Sequence, residues 1–91
     1  MTSPVIGLPW YARESYARLR EQMADGAALP ADYDVWRQSA EQNETVGRAS
    51  GLAIVRVPIE PEPFAEWCRA KGLSPDGRAR QQFAREEATR A

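Results

Sequence analysis

The chain has no histidine among its 91 residues. Histidine is the side chain used most often as a general base near neutral pH, and it is the commonest metal ligand. Its absence excludes Ser-His and Cys-His mechanisms of catalysis. The single cysteine, Cys68, excludes an internal disulfide, and we expect it to be a buried apolar residue. We therefore expect no enzyme activity, no cofactor and no metal.

Long apolar runs are also missing, since no stretch approaches the roughly 18 residues that span a bilayer. The first ten residues, MTSPVIGLPW, lack the positive start of a secretory signal. The net charge of −1 gives no bulk attraction to nucleic acid or to anionic lipid. Together with the single cysteine, these features predict a cytoplasmic protein that contacts neither membrane nor nucleic acid.

The apolar content is nevertheless that of a folded protein. Hydrophobic residues make up 43% of the chain, and eight of them are aromatic: three Trp, three Tyr and two Phe. This composition argues against a disordered segment. The length favours one small domain over residues 1–91, with 1–8 as a flexible or short extended segment.

Periodic apolar residues predict four helices. The first lies within 8–26, and the second starts near 30 and ends between 45 and 48; both carry apolar side chains at spacings of three and four residues. The third starts near 61–63 and ends at Gly72, where glycine followed by leucine is typical of a Schellman motif. The fourth opens with Ser74 as its N-cap. The predicted fold is mainly α (α+β), in the order helix–helix–strand–helix–helix.

One stretch, GLAIVRVPI at 51–59, predicts a single strand at about 52–57. Both of its faces are largely apolar, which indicates burial on two sides. Three partners are open to it: the same strand of a second copy, a short strand around 5–6, or a partner's peptide added by β-augmentation. We favour the first, so that the strand pairs across a homodimer.

The candidate interaction surface combines the outer strand face with two aromatic residues near the N-terminus. Leu52, Ile54 and Arg56 share one face of the predicted strand. Trp10 and Tyr11 lie off the apolar stripe of the first predicted helix. Neighbouring aromatics that are exposed mark contact surfaces in soluble proteins.

The order strand, helix, GLS turn and helix over residues 51–90 resembles the ribbon-helix-helix repressors. The resemblance implies a DNA-binding regulator in which one strand from each subunit enters the major groove. The chain departs from that family at the strand, where the repressors carry polar or basic side chains. Here the same face holds Leu52, Ile54 and Arg56, and one arginine cannot read several base edges. DNA binding is therefore the alternative function.

The chain as a whole resembles a set of small uncharacterised bacterial proteins. The resemblance is carried by LPADYDVW, RVPIEPEPFAEWC, KGL and ARQQFA, which together span most of residues 10–88. It implies an autonomous small domain and no mechanism. The preferred hypothesis is a small non-enzymatic bacterial protein that acts in protein–protein interaction or regulation, with itself as the first partner and another protein as a second.

Overall fold

The computed structural model describes residues 5–90 as a two-stranded sheet with helices on both faces. The mainly helical α+β class is confirmed. Short 3-10 turns precede and follow the first helix. The regular elements in chain order are β1 (Val5–Trp10), α1 (Tyr16–Gln22), α2 (Tyr33–Ala49), β2 (Ala53–Pro58), α3 (Pro61–Lys71) and α4 (Gly77–Arg90).

Strand β2 pairs with β1 in parallel, with Val5 opposite Ala53. Of the three partners left open by the sequence, the structure shows the strand around 5–6, which extends to Trp10. The predictions of a single strand and of a helix starting at residue 8 are therefore wrong. Pro9 suits the first turn of a helix, but it suits this strand as well, because its missing N–H lies on the outward edge where no ladder bond is lost. Of the predicted N-terminal segment 1–8, residues 5–8 belong to β1, and 1–4 lie outside the described residues.

Each face of the sheet carries one helix. Helix α2 covers the face that bears the even-numbered residues of both strands, because a Cβ on its Gly47 would lie 3.0 Å from Cδ1 of Ile54. Helix α4 packs on the opposite face, above β1. Parallel strands are normally covered in this way on both sides. We call the two sides the α2 face and the α4 face.

Gly7 is the point of closest approach between α4 and the sheet. A Cβ at this position would lie 2.2 Å from the carbonyl oxygen of Ala84 and 3.1 Å from the Cβ of Ala88. Only a residue without a side chain lets the helix backbone come so near. Small residues on both elements therefore determine how closely the backbone of α4 approaches β1.

The helix ends follow local rules, with one correction. Gly72 has φ 69°, and the amides of Gly72 and Leu73 donate to the carbonyls of Arg69 and Cys68. This is the predicted Schellman motif. The N-cap of α4 is Asp76, whose Oδ1 accepts from the amide of Ala79 at 2.9 Å, so the prediction of Ser74 as N-cap is wrong.

Two aromatic groups form much of the core. Phe64 of α3 and Phe83 of α4 meet edge to face with ring centroids 5.6 Å apart, and Trp67 joins them. The larger group lies between β1, α1 and α2, and its neighbouring centroids are 4.7–5.9 Å apart. Its members are Trp10, Tyr11, Tyr16, Tyr33 and Trp36.

A partly buried ion pair joins α4 to the loop after α1. The guanidinium of Arg80 is 10% exposed and donates to both carboxylate oxygens of Asp25, at 2.8 and 3.0 Å. The hydrogen bonds from Arg80 hold the pKa of Asp25 below its ordinary value. The amide of Ala24 also donates to the carbonyl of Pro75 at 2.7 Å, so this junction is fixed by side chains and backbone together.

Replacing Gly7 by alanine is expected to lower the free energy of unfolding by about 2–3 kcal/mol, because the added methyl forces α4 away from β1. Urea denaturation followed by circular dichroism measures the loss. Gly47→Ala is the matched control. Its methyl meets the side chains of Ile54 and Leu52 and no backbone atom, and alanine favours the helix by up to about 1 kcal/mol over glycine. Equal stability of Gly7→Ala and wild type would contradict the close packing of α4.

Candidate interaction surfaces

The structure brings four of the five predicted surface residues together on the α2 face. Leu52 and Ile54 are half-buried against α2, and Trp10 is half-buried beside Trp36, with ring centroids 5.2 Å apart. Arg56 lies on the same face and is exposed. The side of β2 that the sequence suggested as a contact surface is thus largely covered by the chain's own helix.

Arg56 is held by two partners within the chain. Its Nε and Nη2 donate to the carboxylate of Glu44 at 2.7 and 2.8 Å, and its guanidinium carbon lies 3.8 Å from the ring centroid of Trp10. Arg48 approaches the same carboxylate at 3.5 Å. The hydrogen bonds from Arg56 lower the pKa of Glu44, which is 5% exposed. The side chain of Arg56 therefore covers the carboxylate of Glu44 and the ring of Trp10.

Tyr11 is a core residue, since only 3% of it is exposed. Its carbonyl accepts from the hydroxyl of Tyr33 at 2.8 Å, and its ring packs on Trp36 at a centroid distance of 4.7 Å. Burial raises the pKa of Tyr11 to about 12. Of the two aromatics singled out in the sequence, Trp10 alone reaches the surface.

The exposed side of β2 is its α4 face, because α4 sits over β1 and leaves β2 partly uncovered. Val55 is 42% exposed there. It borders a groove of about 350 Å³ between β2 and the α3–α4 pair. In the sequence, Val55 belongs to an apolar strand face with Ala53 and Val57. The sequence does not reveal which of the two strand faces the last helix leaves exposed. The groove is lined by Val55, Arg56, Val57, Pro58, Glu60, Pro63, Phe83 and Glu87.

The outer edge of β2 offers backbone hydrogen-bonding groups. The amide of Ile59 donates to Trp10, so odd-numbered residues of β2 face β1 and even-numbered residues face outward. Pro58 has no amide hydrogen, and the amide of Leu52 already donates to the carbonyl of Gly47. The outward donors that remain in β2 are therefore the amides of Ile54 and Arg56. The carbonyl of Ile54 accepts from Arg48 at 3.3 Å.

The outer edge of β1 is largely covered, since Gly7 and Pro9 are buried, while Val5 is exposed. The outward residues there are Val5, Gly7 and Pro9, and Pro9 has no amide hydrogen. A cavity of about 290 Å³ lies between the end of β1, α2 and α4. A second cavity of about 170 Å³ lies between the start of β1 and α4, and Gln81 lines both.

Chemistry at the remaining groups is limited. Cys68 is 3% exposed, and burial, followed by the negative charge of Asp76, raises the pKa of its thiol. Within residues 5–90 no three Asp, Glu or Cys side chains cluster as metal ligands would. None of the helices described over the same residues has the length and apolar character that crossing a membrane requires.

Comparisons with protein-family models, with curated proteins and with solved structures find no match for this chain. Function is therefore inferred from the contacts of its own residues. The features that stand out among these contacts are the open outer edge of β2 and the groove beside it.

Replacing Glu44 by glutamine is expected to weaken the acid dependence of stability. Because the folded pKa is lowered, the carboxylate stabilises the fold above its ordinary value of 4.5, and this contribution is lost as the pH falls through the folded pKa. The free energy of unfolding, measured with urea from neutral to acidic pH, should therefore fall less steeply for Glu44→Gln than for wild type. Glu41→Gln, an exposed carboxylate of the same helix, is the control and should keep the wild-type slope. Identical slopes for both variants would contradict the pairing with Arg56.

Cys68 is expected to react slowly with a thiol reagent in the native protein and rapidly in denaturant, since burial excludes the reagent and disfavours the thiolate. The measurement is the rate of absorbance change with a chromogenic disulfide. A control variant, Cys68→Ala with Ala70→Cys, moves the thiol to an exposed position of α3 and should react fast without denaturant. Equal native rates for the two thiols would show that Cys68 is accessible.

Proposed function

We propose that this protein is a small non-enzymatic interaction module of the bacterial cytoplasm, and that its first partner is a second copy of itself. The contact is the outer edge of β2. The observation that carries the proposal is that Val55 is exposed and lies between Ile54 and Arg56. The backbone amides of these two neighbours point away from β1, and among residues 5–90 they have no backbone acceptor. An apolar strand with an unpaired edge attracts another strand.

The edge is suited to antiparallel pairing about a two-fold axis at Val55. In that register Ile54 lies opposite the partner's Arg56, and each of these pairs exchanges two backbone hydrogen bonds. The pairing ends on both sides, because Pro58 cannot donate and the amide of Leu52 is already bound. The carbonyl of Ile54 can keep its bond from Arg48, since a carbonyl oxygen accepts two hydrogens.

The side chains favour the same arrangement. Val55 meets the partner's Val55 as a non-hydrogen-bonded pair, with Cα atoms about 4.5 Å apart. This contact covers the valine that each single chain leaves exposed. The charge of Arg56 is balanced by Glu44 of the same chain, and its side chain lies on the α2 face, away from the paired Val55 residues. The product is a four-stranded sheet in the order β1-β2-β2-β1.

The non-enzymatic part of the proposal rests on the available side chains. The chain has no histidine, and its one thiol is buried with a raised pKa. A buried, reduced cysteine also fits the cytoplasm. The bacterial assignment comes from the sequence resemblance. For the alternative, a DNA-binding regulator, no contact of the described residues speaks in favour, since Arg56 is bound by Glu44 and Trp10.

Sedimentation at micromolar concentration is expected to give about twice the chain mass of 10.2 kDa. Val55→Lys should shift the protein to the monomer mass, because two lysines would face each other at the two-fold axis. Val35→Lys is the matched control, since Val35 is 53% exposed on α2 and outside the proposed contact. It should remain dimeric.

A monomeric wild type, or loss of the dimer in both variants alike, would overturn self-pairing through β2. Circular dichroism of each variant verifies that the fold is retained.

A further inference from the structure

The cavity of about 290 Å³ at the end of β1 is bounded by β1, by the segment 29–30, by α2 and by α4. A water molecule occupies about 30 Å³ in the liquid, so this space has room for a ligand of about ten non-hydrogen atoms. Much of the wall is apolar, as in most sites for small molecules. The apolar lining consists of Leu8, Pro9, Leu29, Pro30, Trp36 and Ala40.

The walls of this cavity are held in place by contacts with α1 and the turn before it. The hydroxyl of Tyr16 donates to the carbonyl of Pro30. Nε of Arg20 donates to the carbonyl of Leu29 at 3.2 Å. On another wall, the ring of Trp36 packs on Tyr16 with centroids 5.8 Å apart. A site with fixed walls loses little conformational entropy when a ligand binds.

Tyr11 brings a buried hydroxyl group to the cavity. The residue is 3% exposed, and its hydrogen bond with Tyr33 uses its carbonyl and not its hydroxyl. Among residues 5–90, no side-chain nitrogen or oxygen that is closed off from open space lacks a hydrogen-bond partner. The Tyr11 hydroxyl has no partner among these residues, so it reaches open space, and the cavity that Tyr11 lines provides this space. It is a donor in need of an acceptor.

Arg80 brings a second buried donor group. Two of its N–H groups donate to Asp25, whereas its Nε has no partner among residues 5–90. Burial raises the pKa of Tyr11 to about 12, and the positive charge of Arg80 opposes this rise, which indicates that the two groups lie close together. Asp25 balances the charge of Arg80, and the lining contributed by the described residues includes no aspartate or glutamate. The site therefore offers donors without an unbalanced charge.

We propose that this cavity binds a small neutral aromatic amide, whose carbonyl oxygen accepts from Tyr11 and Arg80 while its ring packs against Trp36 and the apolar wall. The exposed side chains of Ser39 and Asn43 also line the cavity and can accept from the amide N–H groups. A carboxylate is disfavoured, because the guanidinium already has its counter-charge. No part of β2 lines this cavity, so the inference does not depend on the proposed dimer.

The test uses three aromatic compounds of similar size, namely benzamide, benzoate and toluene. Chemical-shift changes in the amide spectrum of the labelled full chain give the dissociation constants. Benzamide is expected to bind with a Kd of about 1 mM or lower, an ordinary affinity for so small a ligand. Benzoate should bind at least about fivefold more weakly, because its charge is buried without a free cation. Toluene should be weaker by at least about the same factor, because it offers no acceptor.

Tyr11→Phe removes the hydroxyl and keeps the ring. The affinity for benzamide is expected to fall by about three- to tenfold, the range for one hydrogen bond, while stability in urea is not lowered. Tyr33→Phe is the matched control from the same aromatic group, since its hydroxyl bonds the carbonyl of Tyr11 and Tyr33 does not line the cavity. It should lower stability and change the affinity by less than about twofold, because the lost bond lies outside the site.

The amide resonances also locate the ligand. Changes are expected at Ser39, Asn43 and Gln81, and not at Val55 and Glu87 in the groove beside β2. Absence of benzamide binding up to about 10 mM would overturn the proposal. So would equal affinities for the three compounds, an undiminished affinity of Tyr11→Phe, or shift changes confined to the groove beside β2.

Discussion

A parallel ladder cannot be closed by a tight turn, because the chain must return to the end of the sheet where the first strand began. In this protein the return path between β1 and β2 contains α1 and α2, and α2 lies across one face of the sheet. The aromatic group of Trp10, Tyr16 and Trp36 fills the space beneath that crossing. The opposite face is left for the C-terminal helices. The crossover that contains α1 and α2 thus follows from the parallel pairing of Val5–Trp10 with Ala53–Pro58.

The second constraint is that one helix cannot cover two strands equally. Because Gly7 lets the backbone of α4 approach so closely, the helix is centred on β1 and β2 keeps an exposed valine. The surroundings of the two strands also differ in charge. The cavities beside β1 are lined by Arg80 and Arg85 of α4, whereas the groove at β2 is lined by Glu60, Glu87 and Arg56, which is paired with Glu44.

Local signals in the sequence were enough for β2, for α3 and for the Schellman motif at Gly72, because these depend on alternation, proline placement and a left-handed glycine. A short strand around 5–6 was one of the partners open to β2, but its extension to Trp10 was not predicted, because Gly7 and Pro9 are unfavourable in most strands. Parallel pairing and the ion pair of Arg80 with Asp25 join residues far apart in the chain, and no periodic pattern reports such contacts. For the same reason the sequence singled out Ile54 and Arg56 but not the open side at Val55.

The two prolines on the outward registers have a consequence for polymerisation. A two-stranded sheet has two different edges, and a joint between β2 of one copy and β1 of the next, repeated head to tail, would build a filament. Pro9 and Pro58 each remove a hydrogen-bond donor from one of these edges. Both lie at the same end of the sheet, since Pro9 is opposite Val57 and Pro58 is opposite Trp10. At this end of the sheet neither edge can therefore donate to an added strand, which shortens any such joint to a few hydrogen bonds. The prolines let short, terminated contacts form while they disfavour an endless one.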